Sequence, residues 1–170
     1  MHPARPLLLA LIASGATLLA ACDDLDDEAP FPSGACEGPP AQVQGDWTVR
    51  GEGERRDCID DAFNGSFDIT TPVAVAVTLG QAEDGPVPFT GTPVEGEVPP
   101  GFRFDGDVQG PCVRLEYAET VLIRNQPESR RRLQMSFVGV AGDEGIVRGS
   151  FTGTGPLGCS TRGTFEALVD

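Results

Sequence analysis

Lysine is absent from this sequence of 170 residues, and histidine occurs once, as His2. Without lysine, the chain has no Schiff-base nucleophile and no phosphate-binding lysine of the P-loop type. Without a histidine beyond residue 2, Ser–His and Cys–His nucleophile pairs and histidine-ligated zinc are excluded from the rest of the chain. Carboxylate chemistry remains, but neither Asp-Thr-Gly nor Asp-Ser-Gly occurs. We therefore expect no enzymatic activity, no cofactor and no metal site.

Basic residues are also few: 12 arginines face 26 acidic residues, which gives a formal net charge of −14. A charge of this sign repels the phosphate backbone of nucleic acids and anionic lipid headgroups. Loss of residues 1–21 would take away only one charged residue, Arg5, and leave a formal net charge of −15. Nucleic acid is therefore excluded as an expected partner, whereas cations and basic partners are favoured.

The longest uncharged apolar run lies at the N-terminus, between Leu7 and Leu19. It is preceded by Arg5 and followed by the small residues Ala20 and Ala21, which is the order of a secretory signal. A membrane-spanning helix needs about 20 apolar residues, so the run is too short for a comfortable span. We predict that residues 1–21 are a signal peptide.

Leu19-Ala20-Ala21-Cys22 resembles the lipobox of bacterial lipoproteins. The resemblance implies cleavage between Ala21 and Cys22, and attachment of diacylglycerol to the Cys22 thiol, so that membrane lipid is the first partner. Two or more acyl chains anchor a protein firmly, because each buried CH₂ is worth about 0.8 kcal/mol. The implied location is the cell envelope, with the domain in the periplasm or at the cell surface. The choice between inner and outer membrane stays open, as does the alternative of an ordinary signal peptide with a coincidental cysteine.

Residues 22–44 are acidic at first and then rich in proline and glycine, which is typical of a flexible tether. The domain is expected at 45–170. Four cysteines remain after Cys22, an even number in an exported chain, and they predict two disulfides. These four are Cys36, Cys58, Cys112 and Cys159. Three pairings are open; we favour Cys36–Cys58, next to the tether, and Cys112–Cys159, across the C-terminal strands.

Apolar and polar residues alternate along most of residues 45–170, as in "PVAVAVTL" at 72–79 and "RLQMSFVGV" at 132–140. This period of two indicates half-buried strands, and clusters of Gly and Pro separate them. No convincing helical pattern occurs. The sequence therefore predicts an all-β domain of about eight antiparallel strands, either a single β-barrel or a β-sandwich, in which sequential strands pair.

Gly45-Asp46-Trp47 at the start of the first predicted strand resembles the Gly-x-Trp opening of lipocalins. In that family a tryptophan closes one end of a ligand-holding barrel beneath an arginine from near the last strand. The resemblance implies that Arg162 lies over Trp47, where cation–π contact would stabilise the pair. The C-terminal helix of the family is missing, and an ordinary core role for Trp47 is the alternative.

Two further clusters stand out. Arg130, Arg131 and Arg132, with Arg124 nearby, flank the predicted turn "NQPES" and would form a basic contact patch for an acidic partner, or pair with acids of the chain itself. "DDAFNGSFD" at 60–68 resembles fragments of a calcium loop, but the missing oxygen ligands favour an Asn-Gly turn.

Taken together, these features predict a lipid-anchored envelope protein that acts as a non-catalytic interaction or structural module. The alternative is a lipocalin-like barrel that binds a small apolar ligand, and a carboxylate-based hydrolase is the least favoured reading. An envelope protein is the expected partner, and the oligomeric state is left open.

Overall fold

The computed structural model describes residues 36–69, 74–82, 85–94, 96–123, 126–142 and 144–170, with the side chains of 123 and 126–129 excepted. The predicted signal peptide, Cys22, the first part of the predicted tether and Arg124 lie outside the described residues. The described chain forms nine strands: β1 (Gly45–Arg56), β2 (Gly65–Ile69), β3 (Val75–Leu79), β4 (Val87–Pro93), β5 (Arg103–Gln109), β6 (Cys112–Ile123), β7 (Gln126–Ala141), β8 (Ile146–Thr154) and β9 (Ser160–Val169).

All nine strands belong to one antiparallel sheet that closes on itself. Strands β3 to β9 pair in sequence order, and β9 then pairs with β1 along its length, from Trp47↔Val169 to Arg56↔Ser160. The opposite edge of β1 is shared: residues 45–47 pair with β3, whereas residues 51–55 pair with the short β2. The prediction of a single all-β antiparallel domain is confirmed, and the sheet is a closed ring of strands that is not a regular barrel.

Alternating residues of the strands line the inside of this ring, and Val43 joins them from the segment before β1. They form one cluster of buried side chains: Val43, Trp47, Val49, Val75, Val77, Phe89, Phe104, Val108, Val113, Leu115, Met135, Phe137, Val147, Phe151, Phe165 and Ala167. Each fully buried large side chain of this kind contributes about 1.5–3 kcal/mol relative to an exposed one. The ring is therefore stabilised mainly by its own interior.

Glycine allows the aromatic rings to lie flat against the strands. Gly53 on β1 pairs with Gly163 on β9, and the ring of Phe151 lies over both. A Cβ atom would come within 2.8 Å of Phe151 Cζ at Gly53 and within 2.6 Å of it at Gly163. Both positions thus need a residue without a side chain, which is a common reason for glycine inside a strand.

The segment 36–44, which the sequence assigned to the flexible tether, is held against the ring. A disulfide joins Cys36 to Cys112 at the start of β6, and the amide of Ala41 donates to the carbonyl of Gly110 over 2.8 Å. Val43 is fully buried, and its carbonyl accepts a hydrogen bond of 2.6 Å from the Trp47 indole. Contact with the ring therefore begins before β1.

The second disulfide joins Cys58 to Cys159. The four predicted cysteines are thus all paired, but the favoured pairing, Cys36–Cys58 with Cys112–Cys159, is wrong. The reason is topological: β1 and β9 are neighbours, and the pair Arg56↔Ser160 places Cys58 just beyond the end of β1 beside Cys159. The pairing of the first strand with the last cannot be inferred from closeness in the sequence, and so neither could this disulfide.

Candidate functional site

Strands β6 and β7 line one side of an apolar cavity with three successive residue pairs. From the inside outwards these pairs are Leu115↔Phe137, Tyr117↔Met135 and Glu119↔Leu133. Alternation along each strand places all six side chains on the inner face of the sheet. We refer to these three pairs as the β6–β7 rungs.

The cavity has a volume of about 240 Å³. In addition to the β6–β7 rungs, it is lined by Val49 of β1, Asp68 and Ile69 of β2, and Phe104 of β5. Seven of the ten lining residues are aliphatic, methionine or phenylalanine, so the wall is mainly apolar. Two acidic residues border it: the side chain of Glu119 lies on the inner face, whereas Asp68 is exposed and alternates with Phe67 and Ile69, so its side chain points to the outer face.

The irregular part of the ring accounts for this opening. Within the described chain, β2 pairs only with β1, so no strand connects its second edge to β6 and β7. The cavity lies in that interruption, between Ile69 on one side and the β6–β7 rungs on the other. In a regular barrel another strand would lie between β2 and these rungs.

Burial decreases steadily from the base of the cavity to its mouth. Leu115 and Phe137 are buried at the base, and Phe137 contacts the rings of Phe151 and Phe165 at centroid distances of 5.4 and 5.1 Å. Tyr117, Glu119 and Leu133 are only partly buried. The base is therefore a fixed part of the core, and the outer rung meets solvent.

Tyr117 carries the polar group closest to the middle of the wall. Its ring packs edge-on against Phe102 at 5.9 Å, and its hydroxyl lies close to the Glu119 carboxylate. Burial, and secondly the charge and hydrogen bond of Glu119, raise the pKa of Tyr117 above its ordinary value of 10.0. At neutral pH the phenol is thus neutral and lies beside the Glu119 carboxylate at the mouth.

Trp47 is fully buried and packs against Phe89 and Phe104, with centroids 5.8 and 5.9 Å away. The expected stacking of Arg162 on Trp47 is wrong, because Arg162 pairs across the sheet with Glu54, seven residues along β1 from Trp47. At about 3.3 Å per residue that separation is about 23 Å. Arg162 is exposed, and its guanidinium lies 3.8 Å from the Glu54 carboxylate.

The arginine cluster lies within β7 rather than beside a long turn. Strand β7 begins at Gln126, so Arg130, Arg131 and Arg132 face Leu122, Val121 and Thr120 of β6. All three arginines are exposed. Strand β8 pairs with β7 only from Gln134 onwards, so among the described residues this part of β7 is an edge strand.

The residues that resembled fragments of a calcium loop form a turn and the strand that follows it. Asp60 accepts a hydrogen bond from the amide of Ala62 at a short 3-10 turn, and the Asn64 side chain accepts one from the amide of Cys58. Gly65 opens β2, a strand that the sequence analysis missed, and Asp68 borders the cavity. No group of three His, Cys, Asp or Glu side chains able to hold a metal ion occurs within the described residues.

Comparison with protein-family models, with curated proteins and with solved structures finds no match for this chain. The similarity to lipocalins thus rests on residues 45–47 alone. In the part of the chain that the structure describes, no helix has the length and apolar character needed to cross a membrane.

Tyr117, Glu119 and Leu133 were not among the site residues predicted from the sequence. One signal was present: "LEYAE" at 115–119 places Leu115, Tyr117 and Glu119 on one face, so that an inward apolar series ends on a carboxylate. A face of this kind marks the point at which a buried surface reaches solvent.

Proposed function

We propose that this chain is an exported, non-catalytic binding domain whose cavity at the β6–β7 rungs holds a small apolar ligand. The observation that carries the proposal is the cavity itself, an apolar concavity of about 240 Å³ that continues from the hydrophobic core to the surface. Concave apolar surfaces with a few polar groups are the usual form of small-molecule sites. This observation favours the ligand-binding alternative over the module for protein contact that the sequence placed first.

The volume limits the size of the ligand. A cavity of about 150 Å³ can bind benzene, and drug-sized ligands take about 300–1,000 Å³. The observed 240 Å³ lies between these values, so the site suits one aromatic ring with a short side chain, or an acyl chain of about eight carbons. A larger molecule would place only one end in the cavity.

The location of the protein in the cell envelope is part of the same proposal. The lipobox-like Leu19-Ala20-Ala21-Cys22 supports lipid attachment at Cys22, and two disulfides suit an oxidising compartment. A lipid-anchored domain with a ligand cavity would capture or present its ligand at the surface of an envelope membrane.

The experiment is a binding titration at pH 7 with 3-phenylpropanol, a neutral molecule of suitable size. The full chain, purified from membranes into lipid nanodiscs, is titrated by calorimetry against a blank of empty nanodiscs. We expect a dissociation constant of about 1 mM or tighter, since about ten heavy atoms enter an apolar site. Leu133→Trp, which fills the mouth, should weaken binding at least about tenfold.

Leu168→Trp is the matched control, because Leu168 is 42 % exposed on the outer face of β9. It should bind 3-phenylpropanol as the unmodified protein does. Absence of binding to the unmodified protein, or equal binding by the Leu133→Trp variant, would overturn the proposed function.

A second candidate function is supported by the edge of β7. A strand edge with unpaired backbone groups can accept an added strand, and the three exposed arginines favour an acidic one. A photo-crosslinking residue at Arg131 should then capture an acidic envelope protein in living cells, whereas the same residue at Arg148, on β8, should not. Equal capture at both positions would refute a specific edge interaction.

A further inference from the structure

The charges around the cavity indicate which apolar ligands it takes. Its lining residues include the acidic Asp68 and Glu119 and no arginine, and of the two acids Glu119 has its side chain on the inner face. We infer that the ligand is an apolar cation, with an ammonium group at the mouth and an aromatic or short alkyl body inside. This inference rests on the proposed function and defines the ligand class of the same site.

Glu119 is placed to receive the cationic group. It forms the outermost of the β6–β7 rungs, opposite Leu133, and it is partly buried. The Tyr117 phenol lies beside its carboxylate, whose oxygens keep acceptor sites for N–H donors of a ligand. A carboxylate at a partly desolvated site attracts a cation more strongly than one in bulk water.

The apolar part of the wall suits the same ligand. Phe104, Tyr117 and Phe137 bring three aromatic rings to the cavity, and these suit an aromatic body inside it; Tyr117, in the rung next to Glu119, is the ring that a cation at the mouth can approach. An anionic headgroup would instead meet the Glu119 carboxylate at the mouth. The formal net charge of −14 adds a long-range attraction for cations and a repulsion for anions.

One arginine near the cavity, Arg131, carries the charge that would attract an anionic ligand instead of a cationic one. Arg131 lies opposite Val121, one position beyond the Glu119 rung on the same face of the sheet. It is exposed and does not line the cavity, so an anionic headgroup would have to extend beyond the mouth to reach it. Glu119 lines the cavity and Arg131 does not, so the cavity favours a ligand with a cationic group over one with an anionic group.

The test compares three molecules of nearly equal shape at pH 7: 3-phenylpropylammonium, 3-phenylpropanol and 3-phenylpropanoate. Each is titrated into the full chain in nanodiscs of uncharged phospholipid, with empty nanodiscs as the blank. We expect the ammonium compound to bind about tenfold tighter than the alcohol, and the carboxylate to bind more weakly than the alcohol.

Glu119→Gln should reduce the preference for the ammonium compound over the alcohol to about twofold or less, because the amide keeps the size of the side chain without its charge. Glu116→Gln is the matched control: Glu116 lies on the same strand but on the outer face, opposite Asp105, and it should preserve the preference.

The outcomes separate the inference from the proposed function. Equal binding of all three compounds, or a preference for the carboxylate that Arg131→Gln abolishes, would overturn the inference and leave the apolar site standing. Binding of none of them would overturn both. A preference for the ammonium compound that persists in Glu119→Gln would contradict the role of Glu119 and so reject the inference as stated.

Discussion

Tyr117 on β6 lies directly opposite Met135 on β7, and the two side chains form the middle rung of the cavity wall. The sequence contains one tyrosine and two methionines, and the second methionine, Met1, belongs to the predicted signal peptide. Tyr117 and Met135 can therefore each be observed spectroscopically as a natural probe of the cavity. The phenol reports burial and hydrogen bonding, and the methionine methyl group reports occupancy.

The first prediction concerns the titration of Tyr117. Because burial and Glu119 raise its pKa, the rise in phenolate absorbance near 295 nm should begin well above pH 10 in the folded protein. In denaturant the midpoint should return to about 10. In Glu119→Gln the midpoint should fall only part of the way, since burial is the larger cause. A folded-state midpoint at 10 would show that the phenol is not buried.

The same shift predicts how stability depends on pH. Below pH 10 both the folded and the unfolded chain hold the phenol proton, so the stabilisation from Tyr117 is fully present. Above pH 10 the unfolded chain loses the proton first, and the free energy of unfolding should fall as pH rises. Urea unfolding of the Tyr117→Phe variant should lack this component of the decline; an unchanged decline would assign it to other groups.

Gly163→Ala should destabilise the ring. The added methyl group would meet the carbonyl oxygen of Glu52 and the Cζ atom of Phe151, so the β1–β9 pair or the aromatic ring must move. We expect a loss of about 1–3 kcal/mol in the free energy of unfolding, as for other overpacked sites. Gly142→Ala is the control, because its new Cβ would meet only Ile146 O, at 3.7 Å. Equal stability of the two variants would show that Phe151 does not pack on Gly163.

Replacement of both Cys36 and Cys112 by serine should release the segment that carries Val43. We expect about 2–4 kcal/mol less stability, with a red-shifted emission of Trp47 once the carbonyl of Val43 no longer caps its indole. Replacement of Cys58 and Cys159 should cost a similar free energy and leave the Trp47 emission unchanged, because that bridge closes the far end of β1. Non-reducing peptide mapping checks the pairing; a Cys36–Cys58 peptide would contradict it.

The mature mass tests the proposed address. A chain that begins at Cys22 and carries acyl groups is expected from membranes, with a gain of four hydrogens on reduction of the two disulfides. Cys22→Ser should abolish the acyl mass. An unacylated product from the unmodified gene would reject lipid anchoring, and leave an odd cysteine in an exported protein.

The strands of the interior could be predicted from sequence because their periodicity is regular. Alternation at 72–79 and 132–140 identified β3 and most of β7, although β7 begins earlier, at Gln126. Strand β2 was missed because its five residues begin with Gly65-Ser66 and bury only Phe67 and Ile69 in part. Its Asn-Gly start suggested a turn, and pairing with β1 is what makes it a strand.

The cavity could not be predicted, because it depends on pairing between distant strands. Residues of the β6–β7 rungs are neighbours through one hairpin, but Val49 and Ile69 approach them only after β9 closes the ring on β1. The same closure determines the disulfide Cys58–Cys159 and separates Arg162 from Trp47. The alternation of apolar and polar residues indicates which side chains point into the ring. Which of those side chains contact each other depends on how the ring closes.

Occupancy of the cavity is tested most directly at Met135. With the methionine methyl groups labelled with ¹³C, the Met135 signal should shift progressively as 3-phenylpropanol is added, and cross-relaxation should link that methyl group to the phenyl protons. In Leu133→Trp the shift should be lost, and in Leu168→Trp it should be kept. A Met135 signal that stays fixed at saturating 3-phenylpropanol would contradict an apolar ligand site at the β6–β7 rungs.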